Sequence, residues 1–317
     1  MHGLKAIFRK ELADHFSSYR FIILFSLITM VSLIIAYMVG VNIRQGLEGV
    51  AKPKFIFLML FTAQGVVFSL VQFVAFFGPL IGLVLGFDAI NRERNEGTLA
   101  KLVSQPIYRD SVINGKFLAG VVTISVMMVS IVLLITGMGL IIVGVIPGME
   151  ELWRIFLYLI VSIVYVSFWL GISILFSILF RSIATSALAS IALWIFFSFV
   201  VSIGANVIAN AVVPDVKESD IEARVQHIKV QRAISLISPM VLYSDGTATV
   251  IDPTRKTTSI VLVGPMEKIS QERFSGPLPL SQSILVVVPY IISLIAITAI
   301  CFAVSYAVFM RQEIRSV

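Results

Sequence analysis

The stretch Ile155–Phe180 reads IFLYLIVSIVYVSFWLGISILFSILF and contains no Asp, Glu, Lys, Arg or His. Arg181-Ser182 follows, and then a second uncharged stretch, Ile183–Ile203. The hydrocarbon core of a bilayer is about 30 Å thick, and a helix of about 20 apolar residues crosses it. The two stretches therefore predict two transmembrane helices joined by a tight hairpin.

Four more uncharged runs lie elsewhere in the chain: Phe21–Val41, Phe55–Phe87, Phe117–Ile146 and Ile284–Met310. Of the 317 residues, 58% are hydrophobic and 13% are charged, against about 45–50% and about 25% in soluble domains. The sequence thus predicts an all-α polytopic membrane protein with six transmembrane helices. The second run is too long for one upright span, so we expect its first residues, around Phe55–Phe61, to lie at the interface or in a tilted helix.

The positive charges of the short loops predict the orientation, because cytoplasmic loops carry the excess of Lys and Arg. With the N-terminus inside, the short outer loops hold only Arg44, Lys52, Lys54 and Arg154. The cytoplasmic pieces hold Lys5, Arg9, Lys10, Arg20, Arg92, Arg94, Lys101, Arg109, Lys116, Arg181, Arg311 and Arg315. We therefore expect a multi-pass protein of the cell membrane with both termini in the cytoplasm.

The residues before the first span have the pattern of an amphipathic helix. Its apolar arc is interrupted by Glu11 and His15. The arc itself recurs at i+4 spacing through Leu4, Phe8, Leu12 and Phe16. This pattern predicts an N-terminal interfacial helix on the inner leaflet, as the first part of a membrane domain at residues 1–203.

Residues 204–283, before the last span, are predicted to form a small mixed extracytoplasmic insertion. Asp215–Ile237 has helical periodicity, and Ser238-Pro239 would stop that helix. Thr247–Ile251 and Thr258–Val263 are β-branched runs bounded by Gly and Pro, which predicts two short strands. Residues 284–317 then form the last span and a short cytoplasmic tail.

The sequence does not indicate a catalytic or metal-binding protein. Its six apolar runs hold no ionisable residue, which disfavours an ion-coupled carrier, because such carriers place ionisable groups inside the membrane. The motifs GxxxxGK[ST], HExxH and GxSxG are all missing from the sequence, so we expect a non-catalytic chain that binds no cofactor itself. His2, His15 and His227 are scattered and Cys301 is the single cysteine, so no metal site is predicted. The net charge of +6 lies beside apolar runs, which is typical of membrane topology rather than nucleic-acid binding.

The most informative stretch is the cytoplasmic loop 88–116 between the second and third spans, which begins DAINRERNEGTLAKLVSQP. Gly97 can end the helix that descends from the membrane, Thr98 can cap a new short helix, and Pro106 limits its far end. That short helix would present one apolar stripe, which either fills a groove on a partner protein or folds onto its own membrane domain or the inner leaflet. The candidate contact residues are Arg92, Glu93, Arg94, Glu96, Gly97, Thr98, Leu99, Leu102 and Val103.

This loop resembles the signature loop of type-2 ABC permeases, the membrane subunits of type V ABC exporters. The stretch Leu170–Ser182 is similar to the end of the fourth span and the tight turn of the same family, and Ser238-Pro239 with Tyr243 is similar to a weaker family pattern. Within the family, the chain is similar to the permeases of nitrous-oxide-reductase copper-site assembly. The loop residues that carry the resemblance are Arg92-Glu93-Arg94, Glu96-Gly97-Thr98-Leu99, Leu102, Ser104, Pro106, Arg109 and Gly115-Lys116-Phe117.

The resemblance implies a coupling helix after the second span and a homodimer or heterodimer docked on two copies of an ABC ATPase subunit. ATP and Mg would bind to that partner, and this chain would be the permease subunit of an exporter with an unknown substrate. Many relatives have only short re-entrant helices where this chain has 204–283, so no substrate residue is carried over. Two other functions stay open: a membrane-anchored scaffold that presents 204–283 to extracytoplasmic partners, and the disfavoured ion-coupled carrier.

Overall fold

The computed structural model describes residues 2–47, 54–62, 69–98, 108–214, 221–255 and 276–311. All regular elements within these ranges are helices, which confirms the all-α fold. In chain order they are α1 (His2–Ser17), α2 (Tyr19–Gly46), a 3₁₀ turn (Phe57–Leu60), α3 (Leu70–Gly86), α4 (Asn91–Asn95), α5 (Arg109–Val143), α6 (Met149–Leu179), α7 (Ile183–Ile195), a π-helical turn (Phe196–Val200), α8 (Val201–Val212), α9 (Ile221–Ser235), α10 (Pro239–Ile251) and α11 (Leu280–Arg311).

Six helical stretches in the described ranges are long and apolar enough to cross a bilayer, which confirms the six predicted spans. We number them in chain order as spans 1 to 6. They are Tyr19–Gly46, Leu70–Asn95, Arg109–Val143, Met149–Leu179, Ile183–Val212 and Leu280–Arg311.

The long apolar run Phe55–Phe87 is divided, so its first residues do not belong to a single tilted helix with the rest. Span 2 begins after Ser69, whose hydroxyl accepts the backbone N–H of Gln72 in a capping box. The 3₁₀ turn is a separate element and is buried, and its Phe57 N–H donates to Glu151 Oε1 at 3.0 Å. The capping box of Ser69 and Gln72 therefore marks the beginning of this span inside the apolar run.

Spans 2 and 4 pack closely along a line of glycines. A Cβ placed on Gly82 would lie 2.6 Å from the Val166 carbonyl oxygen and 2.7 Å from the Leu170 nitrogen. Small residues let helices approach in a membrane, where packing rather than the hydrophobic effect holds them together. The two spans run in the same direction, since Tyr165 donates to the Ala75 carbonyl and Ser173, further along, donates to the Leu83 carbonyl.

Span 6 also runs in the direction of span 4. Arg154 near the start of span 4 donates to Ser283, and Gly171 near its end accepts a hydrogen bond from Ser305. Spans 2, 4 and 6 therefore end on one side of the bundle, and α1 lies on that side too. We call the side that carries α1, α4 and the turn at Arg181-Ser182 the loop end, and the opposite side the hairpin end. Both ends of the described chain lie at the loop end.

The predicted tight hairpin between spans 4 and 5 is confirmed. The helix α6 ends at Leu179 and α7 begins at Ile183. The Ser182 hydroxyl accepts the Thr185 backbone N–H at 3.5 Å, as the N-cap of α7. The turn therefore begins span 5 within four residues of the end of span 4.

The strand predicted over Thr247–Ile251 is wrong, because these residues belong to the helix α10. Most of them are buried among the spans, where every backbone polar group must find an internal partner, and a helix provides that within one segment. The other predicted strand, Thr258–Val263, lies outside the described residues. The predicted helix Asp215–Ile237 is confirmed over Ile221–Ser235.

The helices α9 and α10 meet at an angle of 112° and form a hairpin that enters the bundle. The first limb descends along span 5 from the hairpin end. The side chain of Gln231 donates to Asn206 at 2.6 Å. Deeper in the bundle, the Ser238 hydroxyl at the bend donates to the Phe197 carbonyl at 2.9 Å.

The second limb climbs back along span 4. The Tyr243 hydroxyl hydrogen-bonds Ser162 at 2.9 Å, and six residues later Thr249 donates to the carbonyl of Ser283 at the start of span 6. With 15 and 13 residues, the limbs are about 22 and 20 Å long, which is shorter than the bilayer core. The pair therefore enters and leaves at the hairpin end as a re-entrant hairpin and is not a seventh span.

Candidate functional site

The N-terminal helix α1 has two stripes, and Glu11, which interrupts its apolar arc, belongs to the inner one. Ile7 and Glu11, one turn apart, are both buried against α5. Gly115 of α5 makes room for this contact, since a Cβ there would lie 2.8 Å from Ile7 Cγ2. Phe8 and Leu12 of the apolar arc lie beside this stripe and stay partly exposed. Glu11 therefore interrupts the arc because it faces the protein.

Two carboxylates and two ammonium groups form a cluster at the loop end. Lys116 Nζ lies 2.7 Å from Glu11 Oε1 and 3.1 Å from Glu93 Oε1. Lys10 Nζ contacts the same two atoms at 3.2 Å and 2.9 Å. We call these four side chains the ion cluster. It joins α1 to α4 and α5, which are far from α1 in sequence.

The ion cluster is largely shielded from water. The side chains of Lys116, Glu93 and Glu11 are only 4%, 8% and 10% exposed, while that of Lys10 is 50% exposed. Burial by itself would raise the pKa of Glu11, but Lys116 and Lys10 overcome it and hold that pKa below its ordinary value. Removing one member of such a buried ion pair leaves the other charge uncompensated, which costs about 3–5 kcal/mol.

The short helix α4 is also fastened to the end of span 4. The backbone N–H groups of Ile90 and Asn91 donate to Ser177 Oγ at 2.9 and 3.1 Å. The Asn91 side chain donates to the Ser182 carbonyl in the turn that leads to span 5. Through these contacts and the ion cluster, α4 contacts span 4, α1 and α5 at once.

Gly97 ends this fixed region, as the sequence predicts. Its φ of 68° is in the left-handed region, which glycine adopts without strain. The Thr98 hydroxyl donates back to the Glu93 carbonyl at 3.1 Å. The segment from Ile90 to Thr98 is therefore held by contacts with α1, α5 and span 4, with Glu93 at its centre. We call this segment the loop base.

The structure describes three of the other candidate contact residues. Arg92 and Glu96 are exposed at the loop end and form an ion pair at 3.0 Å. Arg94 is partly buried. Leu99, Leu102 and Val103 lie outside the described residues, so the apolar stripe stays a prediction.

A cavity of about 530 Å³ opens beside the ion cluster. Its walls come from α1, from the end of span 2 through α4, and from the base of span 3. Burial lowers the pKa of His15 in this cavity, although Glu11, Asp88 and Asp14 raise it. The charged and polar lining suits contact with water or with polar groups rather than with lipid.

Sequence reasoning named Glu93 as a contact residue and Lys116 as part of the family resemblance, but it did not pair them with each other or with Lys10 and Glu11. The one local signal was Glu11 itself, a charge in the middle of an apolar arc. Within the described ranges, no group of three or more His, Cys, Asp or Glu side chains is arranged to hold a metal ion. The ion cluster thus connects α1 to α4 and α5.

The comparisons with known proteins fit a membrane subunit of this kind. No protein with a curated description matches the chain. The model of the family described as "ABC-2 family transporter protein" matches residues 5–314, nearly the whole chain. This confirms the type-2 ABC permease, while the finer similarity to nitrous-oxide-reductase permeases stays a prediction. The chain therefore belongs to the ABC-2 family of transporter proteins and is a multi-pass permease subunit of an ABC transporter.

Proposed function

We propose that this chain is the membrane-spanning subunit of an exporter driven by ATP hydrolysis on a partner ABC ATPase. Two copies of the ATPase dock at the loop end of a dimer formed with a second copy of this chain or a paralogue. ATP and Mg²⁺ bind to the ATPase, and both termini lie on the cytoplasmic side. The resemblance of loop 88–116 to the signature of type V exporters supports the direction and the ATP dependence.

The observation that supports this proposal most directly is the ion cluster at the loop base. The loop base ends at Thr98, and α4 within it contacts span 4, α1 and α5. A displacement of residues 99–107 by a partner would therefore be passed to several spans together. A loop that only covered its own membrane domain would not need a base that is connected to several spans.

The packing of the re-entrant hairpin counts against the scaffold alternative. Residues 239–251 are largely buried among spans 4, 5 and 6. They are thus not available as a surface for extracytoplasmic partners. This part of 204–283 belongs to the membrane domain.

Purification of the tagged chain from its own membranes in a mild detergent tests the docking of an ATPase. We expect an ABC ATPase to co-purify with the wild-type chain and to hydrolyse ATP. The double variant Leu99→Asp, Leu102→Asp should lose it, because two carboxylates would enter an apolar contact. At about 100° per residue, Ser104 and Gln105 lie off the apolar stripe, so Ser104→Asp, Gln105→Asp adds the same charge as a matched control.

Two outcomes would contradict the docking proposal. One is an intact complex in the Leu99→Asp, Leu102→Asp variant. The other is equal loss of the ATPase in the Ser104→Asp, Gln105→Asp control, since charge alone would then explain the effect. Fluorescence-detected size exclusion of each variant shows whether the membrane domain is folded.

The exporter direction has its own test. Cells that lack the chain should accumulate a compound that inside-out vesicles from wild-type cells take up when ATP is added. Uptake driven by an ion gradient without ATP would instead support the ion-coupled carrier. Uptake into right-side-out vesicles would show an importer.

A further inference from the structure

Arg154 lies in the first turns of span 4, at the hairpin end. Counting of loop charges assigns it to an outer loop, but the structure places it inside the bundle with 0% of its surface exposed. A fully buried arginine needs hydrogen-bond partners for its planar fork of N–H groups. The position of those partners shows what it holds together.

The guanidinium of Arg154 contacts three parts of the chain. Its Nη1 donates to the carbonyls of Thr249 and Val250 at 3.2 and 3.1 Å, and to Ser283 Oγ at 3.1 Å. Its Nη2 donates to the Leu278 carbonyl at 2.6 Å and to Glu150 Oε1 at 2.9 Å. Most of its acceptors are therefore neutral, and Glu150 is the carboxylate among them.

These acceptors mark the end of the re-entrant hairpin and the start of span 6. Thr249 and Val250 are in the last turn of α10, where carbonyls lack partners within the helix and a cation is favourable. Leu278 precedes span 6, and its N–H donates to the Pro253 carbonyl at 2.8 Å. One side chain thus holds α10 and span 6 against span 4.

The inner part of the hairpin is held by contacts of another kind. The bend at Ser238 bonds to the Phe197 carbonyl, which lies in the π-helical turn of span 5. A π turn leaves a carbonyl without its usual helical partner and often marks a functional position. The Tyr243 ring stacks on Tyr165 with ring centres 4.4 Å apart. The tip is therefore anchored deep in the bundle without help from Arg154.

We propose that Arg154 is a positioning residue that holds the re-entrant hairpin closed at the hairpin end, by clamping α10 and the start of span 6 to span 4. This inference rests on the proposed function for its orientation, since the labelling test requires that the hairpin end faces the outside of the cell. The clamp depends on the fork geometry, because a guanidinium can bond to several carbonyls at once and an ammonium cannot do so in the same plane. Its loss should free the outer end of the hairpin while the tip stays in place.

Cysteine labelling in intact cells tests the clamp. The reporter is Val250→Cys in a Cys301→Ala background, since Val250 is 1% exposed and its carbonyl remains an acceptor. A membrane-impermeant maleimide should label the Arg154→Gln variant at least about tenfold faster than its parent, because tenfold corresponds to a modest loss of closed-state stability. The matched variant Glu150→Gln keeps an amide oxygen that can accept from Arg154 Nη2 but removes the carboxylate charge, so the labelling rate should rise less than in Arg154→Gln.

Several outcomes would overturn the clamp. They are an unchanged labelling rate in Arg154→Gln, an equal rise in Glu150→Gln, and full protection by Arg154→Lys. A second reporter, Ser173→Cys, is fully buried on the opposite half of span 4. If both reporters become labelled together, the substitution loosens the whole bundle, and the local clamp is wrong.

Two further measurements keep the test decisive. Where Arg154→Gln does not reach the membrane, Ser283→Ala removes one acceptor and should raise labelling at position 250 by at least about twofold. Labelling does not need the ATPase, so co-purification separates the two proposals. A rise in labelling without any co-purifying ATPase would support the clamp and contradict the proposed function. A co-purifying ATPase without a rise in labelling would contradict the clamp alone.

Discussion

The two ends of the bundle each bury a positive charge, and they compensate it differently. At the loop end, Lys116 is paired with two carboxylates, Glu11 and Glu93. At the hairpin end, Arg154 faces three backbone carbonyls and a hydroxyl besides Glu150. The first arrangement is an ion cluster between separate helices, and the second is a set of hydrogen bonds to the ends of helices.

The difference shows which conditions can change the interactions at each end of the bundle. Carboxylates titrate and attract other cations, so the ion cluster responds to pH and to a partner that brings charge. Carbonyls do not titrate, and their hydrogen bonds depend on the position of the helix that carries them. The loop end is thus suited to receiving a signal, and the hairpin end to holding a geometry.

The largest expected effect on stability comes from replacing Lys116, which contacts both carboxylates of the ion cluster. Lys116→Met leaves Glu11 and Glu93 close together with only the half-exposed Lys10 as counter-ion. We expect a loss of about 3–5 kcal/mol in the stability of the packing of α1 and α4, because two buried carboxylates lose their shared partner. The melting temperature of the purified protein and the co-purification of the ATPase both measure it.

A second substitution sharpens this result. Adding Glu11→Gln to Lys116→Met removes one of the two orphaned carboxylates and should recover part of the stability. The half-exposed Lys10→Met variant should cost less than Lys116→Met, because solvent screens its charge. A Lys116→Met protein as stable as the wild type would show that the cluster does not hold α1.

Acidification should weaken the loop end more than the hairpin end. Burial keeps the pKa of His15 below its ordinary value, so α1 loses docking stability as the pH falls below about 6.5, where the undocked His15 takes up a proton first. The lowered pKa of Glu11 stabilises docking above the ordinary carboxyl range, and this is lost only at still lower pH. The groups that face His15 are Glu11, Lys116, Asp88 and Asp14.

Hydrogen exchange of α1 between pH 7.5 and about 5.5, corrected for the intrinsic rate, measures how protonation of His15 changes the docking stability of α1. We expect the protection of α1 to fall over this range in the wild type and to stay constant in His15→Gln. The reporter at position 250 should keep its labelling rate, after correction for thiol ionisation, because four of the five acceptors of Arg154 are backbone carbonyls or a hydroxyl, which do not titrate. Equal loss of protection at both ends would remove the distinction between them.

The spans could be predicted because hydropathy is a property of consecutive residues. Within 204–283, local patterns were less reliable, as Thr247–Ile251 shows. Its β-branched residues favour a strand, but burial among helices requires each backbone group to be satisfied within the segment. Placing a segment inside or outside the membrane depends on what surrounds it, which the local sequence does not contain.

The candidate site was predicted only at Glu93 and its neighbours in the loop. The partners of the ion cluster are separated by 83 residues between Lys10 and Glu93 and by 105 between Glu11 and Lys116. Pairings of this range need the fold before they can be seen. Arg154 was misplaced for the same reason, since a charge at the edge of an apolar run has the same sequence pattern whether it faces water or a helix end.

The smallest expected effect on stability tests which loop-end charges meet the partner. Arg92 and Glu96 form an exposed ion pair, with side chains 61% and 53% exposed, and an exposed i,i+4 pair contributes about 0.3–0.5 kcal/mol. Arg92→Gln should therefore shift the melting temperature by less than about 2 °C. It should still reduce the co-purification of the ATPase, because Arg92 lies in the predicted contact.

Arg311→Gln removes an equal exposed charge at the same end and should leave the complex intact. Retention of the ATPase in both variants would exclude Arg92 from the contact and restrict docking to the apolar stripe.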